Sequence, residues 1–173
     1  MLPIASTEWI LTNTYKADLI AWLTAHPEAY EEVIRLSLTD KQPYAWRAAW
    51  LLWSCMEVND KRIQPYLGKM IETLKSTNDD HRRELLIILL KMDLPEESEG
   101  LLFDECAEMW VKVGKKPSVR MNALKMMVKI AVKHPGLQYE LLYLTQPQYI
   151  DSLSAAANKS ITLLLKGFRN RPA

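Results

Sequence analysis

An arginine recurs at a nearly constant interval along the chain, each time near the start of an apolar segment. The three positions are Arg47, Arg82 and Arg120, which are separated by 35 and 38 residues. A short turn containing aspartate or proline precedes each arginine, and a further apolar segment precedes each turn. Self-similarity with a period of about 20 to 50 residues is typical of proteins built from stacked repeats. The chain is therefore expected to fold as a series of similar units.

The spacing of the apolar residues indicates that these units are helical. Apolar side chains form one helical stripe in residues 63–74 and another in residues 150–168. Alternating apolar and polar residues, the signature of half-buried strands, are absent from the sequence, as are Asn-Gly turns. The five glycines are never clustered, which excludes a glycine-rich phosphate loop. The sequence predicts an all-α protein of eight or nine helices.

Length and composition suit one soluble domain. The 173 residues are 49% hydrophobic, enough to bury a core. The longest aliphatic run has six residues, against the ~20 that a membrane helix needs. Two cysteines are too few for a disulfide framework, and the first residues do not resemble a secretory leader. We expect a cytoplasmic protein with reduced thiols and no membrane association.

The small net charge of +1 conceals a strong asymmetry along the chain. Residues 81–111 contain 3 basic and 8 acidic side chains, whereas residues 112–173 contain 11 basic and 2 acidic ones. In a stacked protein such a sequence would place an acidic middle beside a basic end. The basic C-terminal third is therefore a candidate surface for an acidic partner or for phosphates.

The repeated pattern resembles the HEAT-repeat family of α-solenoids, to which armadillo repeats are related. The resemblance is clearest over residues 27–134, while residues 1–26 and 137–173 match only as capping helices. No arginine stands at the corresponding position near residues 156–159. The resemblance implies a single domain over residues 1–173, a right-handed α-α superhelix of about four helix pairs. It also implies a non-enzymatic scaffold that binds other proteins.

The resemblance further implies that Arg47, Arg82 and Arg120 are structural. In such repeats an arginine of this kind bridges neighbouring repeats through carboxylates or carbonyls in the turns. A buried guanidinium requires such partners, because an unpaired buried charge is very costly. Asp40 and either Asp79 or Asp80 are the candidate carboxylates.

Three tryptophans form the first candidate contact surface. Trp46, Trp50 and Trp53 have the spacing i, i+4 and i+7, and so lie on one face of a single helix. Tryptophan is enriched at binding hot spots, which favours a partner groove. The rest of this helix is also apolar, which favours the alternative that the indoles fill the core. The sequence inclines towards burial and leaves both alternatives open.

A row of lysines forms the second candidate surface. Lys125, Lys129 and Lys133 are spaced i, i+4 and i+8, so that their charges repel one another slightly. Other cations of the same third could extend the row into a basic patch, namely Lys112, Lys115, Lys116, Lys159, Lys166, Arg169 and Arg171. The sequence favours a simple solvated face for this row, and few aromatic residues accompany it to stack on bases.

No residue set in the sequence has the spacing of a metal site, a cofactor site or a catalytic constellation. His26, His81 and His134 lie far apart, without a second ligand at a repeated spacing. The leading hypothesis is a scaffold without enzymatic activity, metal or cofactor that binds a protein or peptide. The alternative is a nucleic-acid-binding or DNA-repair protein that uses the basic C-terminal third, since certain DNA glycosylases resemble this fold.

Overall fold

A computed structural model describes residues 5–169 of the chain. These residues form eleven α-helices, connected by turns that include three short 3₁₀ segments. The helices are α1 (Thr7–Asn13), α2 (Lys16–Ala25), α3 (Tyr30–Ser37), α4 (Tyr44–Cys55), α5 (Leu67–Ser76), α6 (Asp79–Leu90), α7 (Glu96–Val111), α8 (Pro117–Lys133), α9 (Gln138–Tyr143), α10 (Pro147–Ile150) and α11 (Ala155–Arg169). No strand occurs among the described residues, and the predicted all-α, HEAT-like fold is confirmed.

The predicted number of eight or nine helices was too low because two segments are divided. Residues 7–25 form two helices separated at Thr14 and Tyr15, and residues 138–150 form two short ones separated near Pro147. The stripe over residues 150–168 was assigned to one helix, but α11 begins only at Ala155. Leu153 is buried in the turn before it, so an apolar residue of the stripe packs without being helical.

The contacts divide the chain into two compact units, Met1–Leu94 and Pro95–Ala173. In the first unit α4 is central and packs against α1, α2, α3 and α6. Ala45, Ala48 and Ala49 of α4 are fully buried, as are Leu51 and Leu52. The distance between packed helices depends on the side chains at the contact, so the alanines allow neighbouring helices to approach closely.

In the second unit α7 and α8 form the main helix pair, and α9 and α11 pack against α8. The core of the pair contains Phe103 and Trp110 of α7, and Leu124 and Met127 of α8. The indole nitrogen of Trp110 donates a hydrogen bond of 2.6 Å to the carbonyl of Leu144. This bond satisfies the one polar atom of a fully buried indole.

The recurring arginines bind carbonyl groups at the ends of helices. Arg47 donates through Nε to the carbonyl of Leu11 in the last turn of α1. Arg82 donates to the carbonyls of Leu74 and Lys75 at the end of α5, over 2.7 and 3.1 Å. The last four carbonyls of an α-helix have no partner within the helix and carry partial negative charge. The arginines therefore supply hydrogen-bond donors at helix ends, where the carbonyl acceptors have no partner within the helix.

Arg120 is the most deeply buried member of the set, with none of its surface exposed. It donates through Nε to the carbonyl of Trp110 at 2.8 Å and through Nη2 to the carbonyl of Tyr149 in α10. Its guanidinium also lies over the Trp110 ring, 4.5 Å from the centroid. Burial lowers the pKa of Arg120. One side chain thus links α8 to α7 and to α10.

Buried His81 makes a similar connection in the first unit. Its Nε2 lies 2.7 Å from the carbonyl of Ser37, the last residue of α3. A carbonyl can only accept, so Nε2 carries the proton and Nδ1 accepts from the Thr77 hydroxyl at 2.6 Å. Burial lowers the pKa of His81, although its bond to Ser37 acts in the opposite direction. The neutral imidazole is therefore the form that the fold holds.

Replacing Arg120 with alanine should lower the free energy of unfolding by about 3 kcal/mol, because it leaves two carbonyls without their donor and opens a cavity. Arg35→Ala is the matched control, since the Arg35 side chain is 70% exposed in an i, i+4 ion pair. It should shift the urea midpoint far less, because an exposed ion pair contributes little to stability. Urea denaturation followed by circular dichroism measures both. Equal midpoints for the two variants would contradict this role of Arg120.

His81 should make the fold less stable as the pH falls below the ordinary histidine range near ~6.5. The pKa of His81 is lowered in the folded state, so the unfolded chain binds the proton more readily and acid favours unfolding. The contribution is complete above the unfolded pKa and is lost as the pH decreases towards the folded one. Thermal unfolding between about pH 7.5 and 5 should show a steeper decline for the wild type than for His81→Gln.

Candidate functional site

The three tryptophans of α4 are neither core residues nor fully exposed. Trp46, Trp50 and Trp53 are all half-buried, and the buried side of α4 is formed by alanine and leucine. Trp50 and Trp53 contact each other edge to face, with their ring centroids 6.1 Å apart and an interplanar angle of 75°. The indoles therefore lie on the side of α4 that remains in contact with solvent.

Cations accompany two of the indoles. The ammonium group of Lys16, at the start of α2, lies 4.9 Å from the ring centroid of Trp50. The guanidinium of Arg47 lies 5.6 Å from the ring centroid of Trp46, while its Nε binds the Leu11 carbonyl. A cation over an indole face is attracted by the negative potential of the ring. Lys16 thus places a positive charge directly beside the Trp50–Trp53 pair.

A buried carboxylate lies behind the pair. The Glu84 side chain of α6 is only 2% exposed; its Oε2 accepts from the Trp53 indole nitrogen and its Oε1 from Arg83 Nη1 at 2.6 Å. Burial raises the pKa of Glu84, while the Trp53 hydrogen bond and the charge of Arg83 oppose the rise. Glu84 fixes the Trp53 ring and holds Arg83 beside it, so that the carboxylate is covered while the Arg83 side chain is 41% exposed.

These residues define a surface that we call the tryptophan face: Trp50 and Trp53 of α4, Lys16 of α2, and Arg83 with Ile87 of α6. Arg83 and Ile87 are one turn apart and both half-buried, so they share a side of α6. Sequence reasoning found the tryptophans but missed Lys16, Arg83 and Glu84. Only the repeat register, which makes α4 and α6 equivalent second helices, could have indicated that Arg83 and Glu84 lie near the tryptophans.

The predicted lysine row is partly neutralised within its own unit. Lys133 Nζ lies 2.7 Å from Oε1 of buried Glu99, and His134 Nε2 lies 2.5 Å from its Oε2. Burial acts to raise the pKa of Glu99, but the bonds from Lys133 and His134 outweigh it and lower the pKa. Lys125 is exposed and Lys129 is half-buried. Of the cations expected to extend the row, Arg171 and the side chain of Arg169 lie outside the described residues.

The predicted carboxylate partners of the arginines are placed as follows. Asp79 Oδ1 lies 3.2 Å from Arg82 Nη1, so the first of the two adjacent aspartates is the one that faces this arginine. Asp80 is exposed, one residue further along α6. Asp40 is exposed and lines a groove of about 400 Å³ with Lys41 and Lys69. Carbonyl groups, which any sequence supplies, are the partners that Arg47, Arg82 and Arg120 share.

Another buried acidic group is engaged in structure rather than chemistry. Asp60 is 5% exposed, and its Oδ2 lies 2.7 Å from Arg62 Nη2 and 3.2 Å from the Tyr30 hydroxyl. The hydrogen bonds from Arg62 outweigh burial and lower the pKa of Asp60 to about 2. Burial raises the pKa of Tyr30 and of the thiols of Cys55 and Cys106. None of these four groups has the pKa of a general acid or base poised near neutrality.

The described part of the chain also gives no support for a metal or a membrane segment. Residues 5–169 contain no group of three or more His, Cys, Asp or Glu side chains able to hold a metal ion. No helix in the same range combines the length and the apolar character needed to cross a bilayer.

Comparison with known families gives one match over most of the chain. A family profile described as HEAT repeat domain matches residues 11–167, which includes helices of both compact units. Comparison with curated proteins and with solved structures gave no significant match. The family match covers more of the chain than the clearest part of the sequence pattern, residues 27–134.

Trp53→Phe should destabilise the protein and raise the pKa of Glu84 further. The substitution removes the indole donor, which acts to lower that pKa, and a hydrogen bond to a charged group contributes about 1.5–3 kcal/mol. Trp50→Phe is the control, since it removes a similar area of ring and leaves the Trp53–Glu84 bond intact. Carboxyl-detected NMR titration and urea denaturation report the two effects. The same Glu84 titration in both variants would contradict the assigned bond.

Proposed function

Because the chain belongs to the HEAT repeat family, we propose that it is a non-enzymatic scaffold that binds a protein or peptide through its tryptophan face. HEAT repeats commonly serve as protein-interaction scaffolds, and the family is typically non-enzymatic. The family profile matches residues 11–167 and so includes helices of both compact units, which supports the proposal that residues 1–173 are a single repeat domain.

The observation that carries the proposal is the half-buried state of Trp50 and Trp53. Side chains that served only the core would be covered like Leu51 and Leu52, which have no exposed surface. The two indoles instead retain solvent contact while Glu84 fixes one ring and Lys16 lies over the other. Tryptophan and arginine held in a defined geometry are the residue types that dominate binding hot spots.

The tryptophan face supports the proposal better than the lysine row does. Lys133 is engaged by Glu99, and the helix that carries Glu99 also carries most of the acidic residues of residues 81–111. Lys125 and Lys129 stay candidate contacts of the second unit. Trp46 is a candidate at the edge of the tryptophan face, since Arg47 rather than a neighbouring indole lies against its ring.

Affinity purification from the native cell, with the tagged chain as bait, should recover a protein in stoichiometric amounts. The double variant Trp50→Ala/Trp53→Ala should reduce that recovery at least tenfold, because hot-spot truncations typically cost more than ~1.4 kcal/mol each. Trp9→Ala is the matched control, since it removes an indole that is 56% exposed on α1 outside the face. Circular dichroism verifies that both variants are folded.

Hydrogen exchange of the purified protein should show protection in α4 and α6 when the partner is added.

In the affinity purification, recovery of the bait alone at several salt concentrations would count against a scaffold. A partner retained equally by the double variant would place the contact elsewhere on the chain.

A further inference from the structure

We infer that the tryptophan face selects a segment with carboxylate side chains next to an aromatic or large aliphatic one. This inference rests on the proposed function and specifies the chemistry of the partner. It depends on the contrast between the charge of the face and the charge of the unit that carries it.

The first unit is acidic as a whole, whereas the tryptophan face is basic. Residues 1–94 contain 11 lysines and arginines against 13 aspartates and glutamates. On the face, the exposed charges are the Lys16 ammonium and the Arg83 guanidinium. The intervening carboxylate, Glu84, is 2% exposed and both of its oxygens accept hydrogen bonds. Asp80, one turn before Glu84 on α6, is the exposed acidic residue at the edge.

The cations are also positioned to donate hydrogen bonds to a carboxylate group of a partner. Arg83 uses Nη1 for Glu84 and is 41% exposed, so part of a guanidinium with five N–H donors reaches solvent. Lys91, the residue that follows α6, donates to the Trp53 carbonyl at 2.7 Å and adds positive charge behind the pair. Arginine recognises carboxylates with directional, charge-assisted hydrogen bonds. A partner with acidic side chains would complement this set.

The indole geometry favours a side chain over a nucleic-acid base. Nucleic-acid recognition by stacking requires an open aromatic face for each base. The Lys16 ammonium covers one side of the Trp50 ring, and Trp53 meets Trp50 at 75° rather than in parallel. The corner between two perpendicular indoles instead suits an aromatic or branched aliphatic side chain.

The inference is tested by selecting random peptides displayed on phage against the immobilised full chain, after depletion on the Trp50→Ala/Trp53→Ala variant. We expect the enriched sequences to combine aspartate or glutamate with Trp, Phe or Leu. The consensus peptide is then synthesised with two companions, one with Gln and Asn replacing its acids and one with Ala replacing its apolar anchor. Calorimetric titration should show at least tenfold weaker binding for each companion.

Two charge variants of the protein distinguish the effect of the charge on the tryptophan face from the effect of the net charge of the first unit. Lys16→Glu should lower the affinity for the consensus peptide at least fivefold and make that affinity less dependent on salt concentration, because it reverses a charge at the edge of the binding surface. Lys61→Glu makes the same change in charge at an exposed residue that lines a different groove. It should leave the affinity within about twofold of the wild type.

The outcomes separate this inference from the function on which it rests. Enrichment of neutral or basic peptides, or equal binding of the amide companion, would overturn the acidic specificity and leave the scaffold intact. Tighter binding of an oligothymidine of about 15 nucleotides, weakened by Lys16→Glu, would overturn it in favour of nucleic acid. If no peptide is enriched relative to the double variant, the inference is rejected. If affinity purification from the cell also recovers no partner, the scaffold function is rejected too.

Discussion

Side-chain donors that bind the open carbonyl ends of helices are the interaction on which the repeat architecture depends. A helix pair of this length leaves carbonyls unpaired at each end, and burying them without donors would cost several kcal/mol per repeat. Arg82 and Arg120 each supply donors to the helix before their own, and Arg47 and His81 reach the ends of α1 and α3. Such a bond fixes both the spacing and the angle between the joined helices, so the fold repeats where the donor repeats.

This dependence explains why the sequence predicts the fold class well and the hydrogen-bond acceptors of the arginines less well. A donor needed once per repeat must recur in the sequence, and the intervals between Arg47, Arg82 and Arg120 record that recurrence. Its acceptors are backbone carbonyls, which have no signature in the side-chain sequence, so aspartates in the turns were the natural candidates. Of these aspartates, Asp79 lies beside Arg82. Asn158 stands 38 residues after Arg120, but its amide donates only locally, to the carbonyl of Leu153 in the turn before α11.

The candidate site was predicted in part, for a reason that lies in α4 itself. Periodicity placed Trp46, Trp50 and Trp53 on one face, but a helix apolar on all sides does not reveal which side is the core. The small alanines form the packed side because a central helix needs close neighbours, and the bulky indoles are displaced towards solvent. Glu84 and Lys16 could not be joined to the indoles from sequence, since they are 31 and 34 residues from the tryptophans they contact.

Charge along the sequence and charge in space are related differently in the two units. In the second unit the acidic helix α7 packs against α8, and Glu99 of α7 binds Lys133 of α8 and His134, the residue after it. Part of the charge asymmetry seen in the sequence is therefore compensated locally. In the first unit, a sequence with a small acidic excess gives a face where the carboxylate is buried and the cations are not. Only charges that remain exposed are available to a binding partner, so burial can make the charge of a surface differ from that of its sequence. The burial of Glu84 leaves the tryptophan face with a net positive charge.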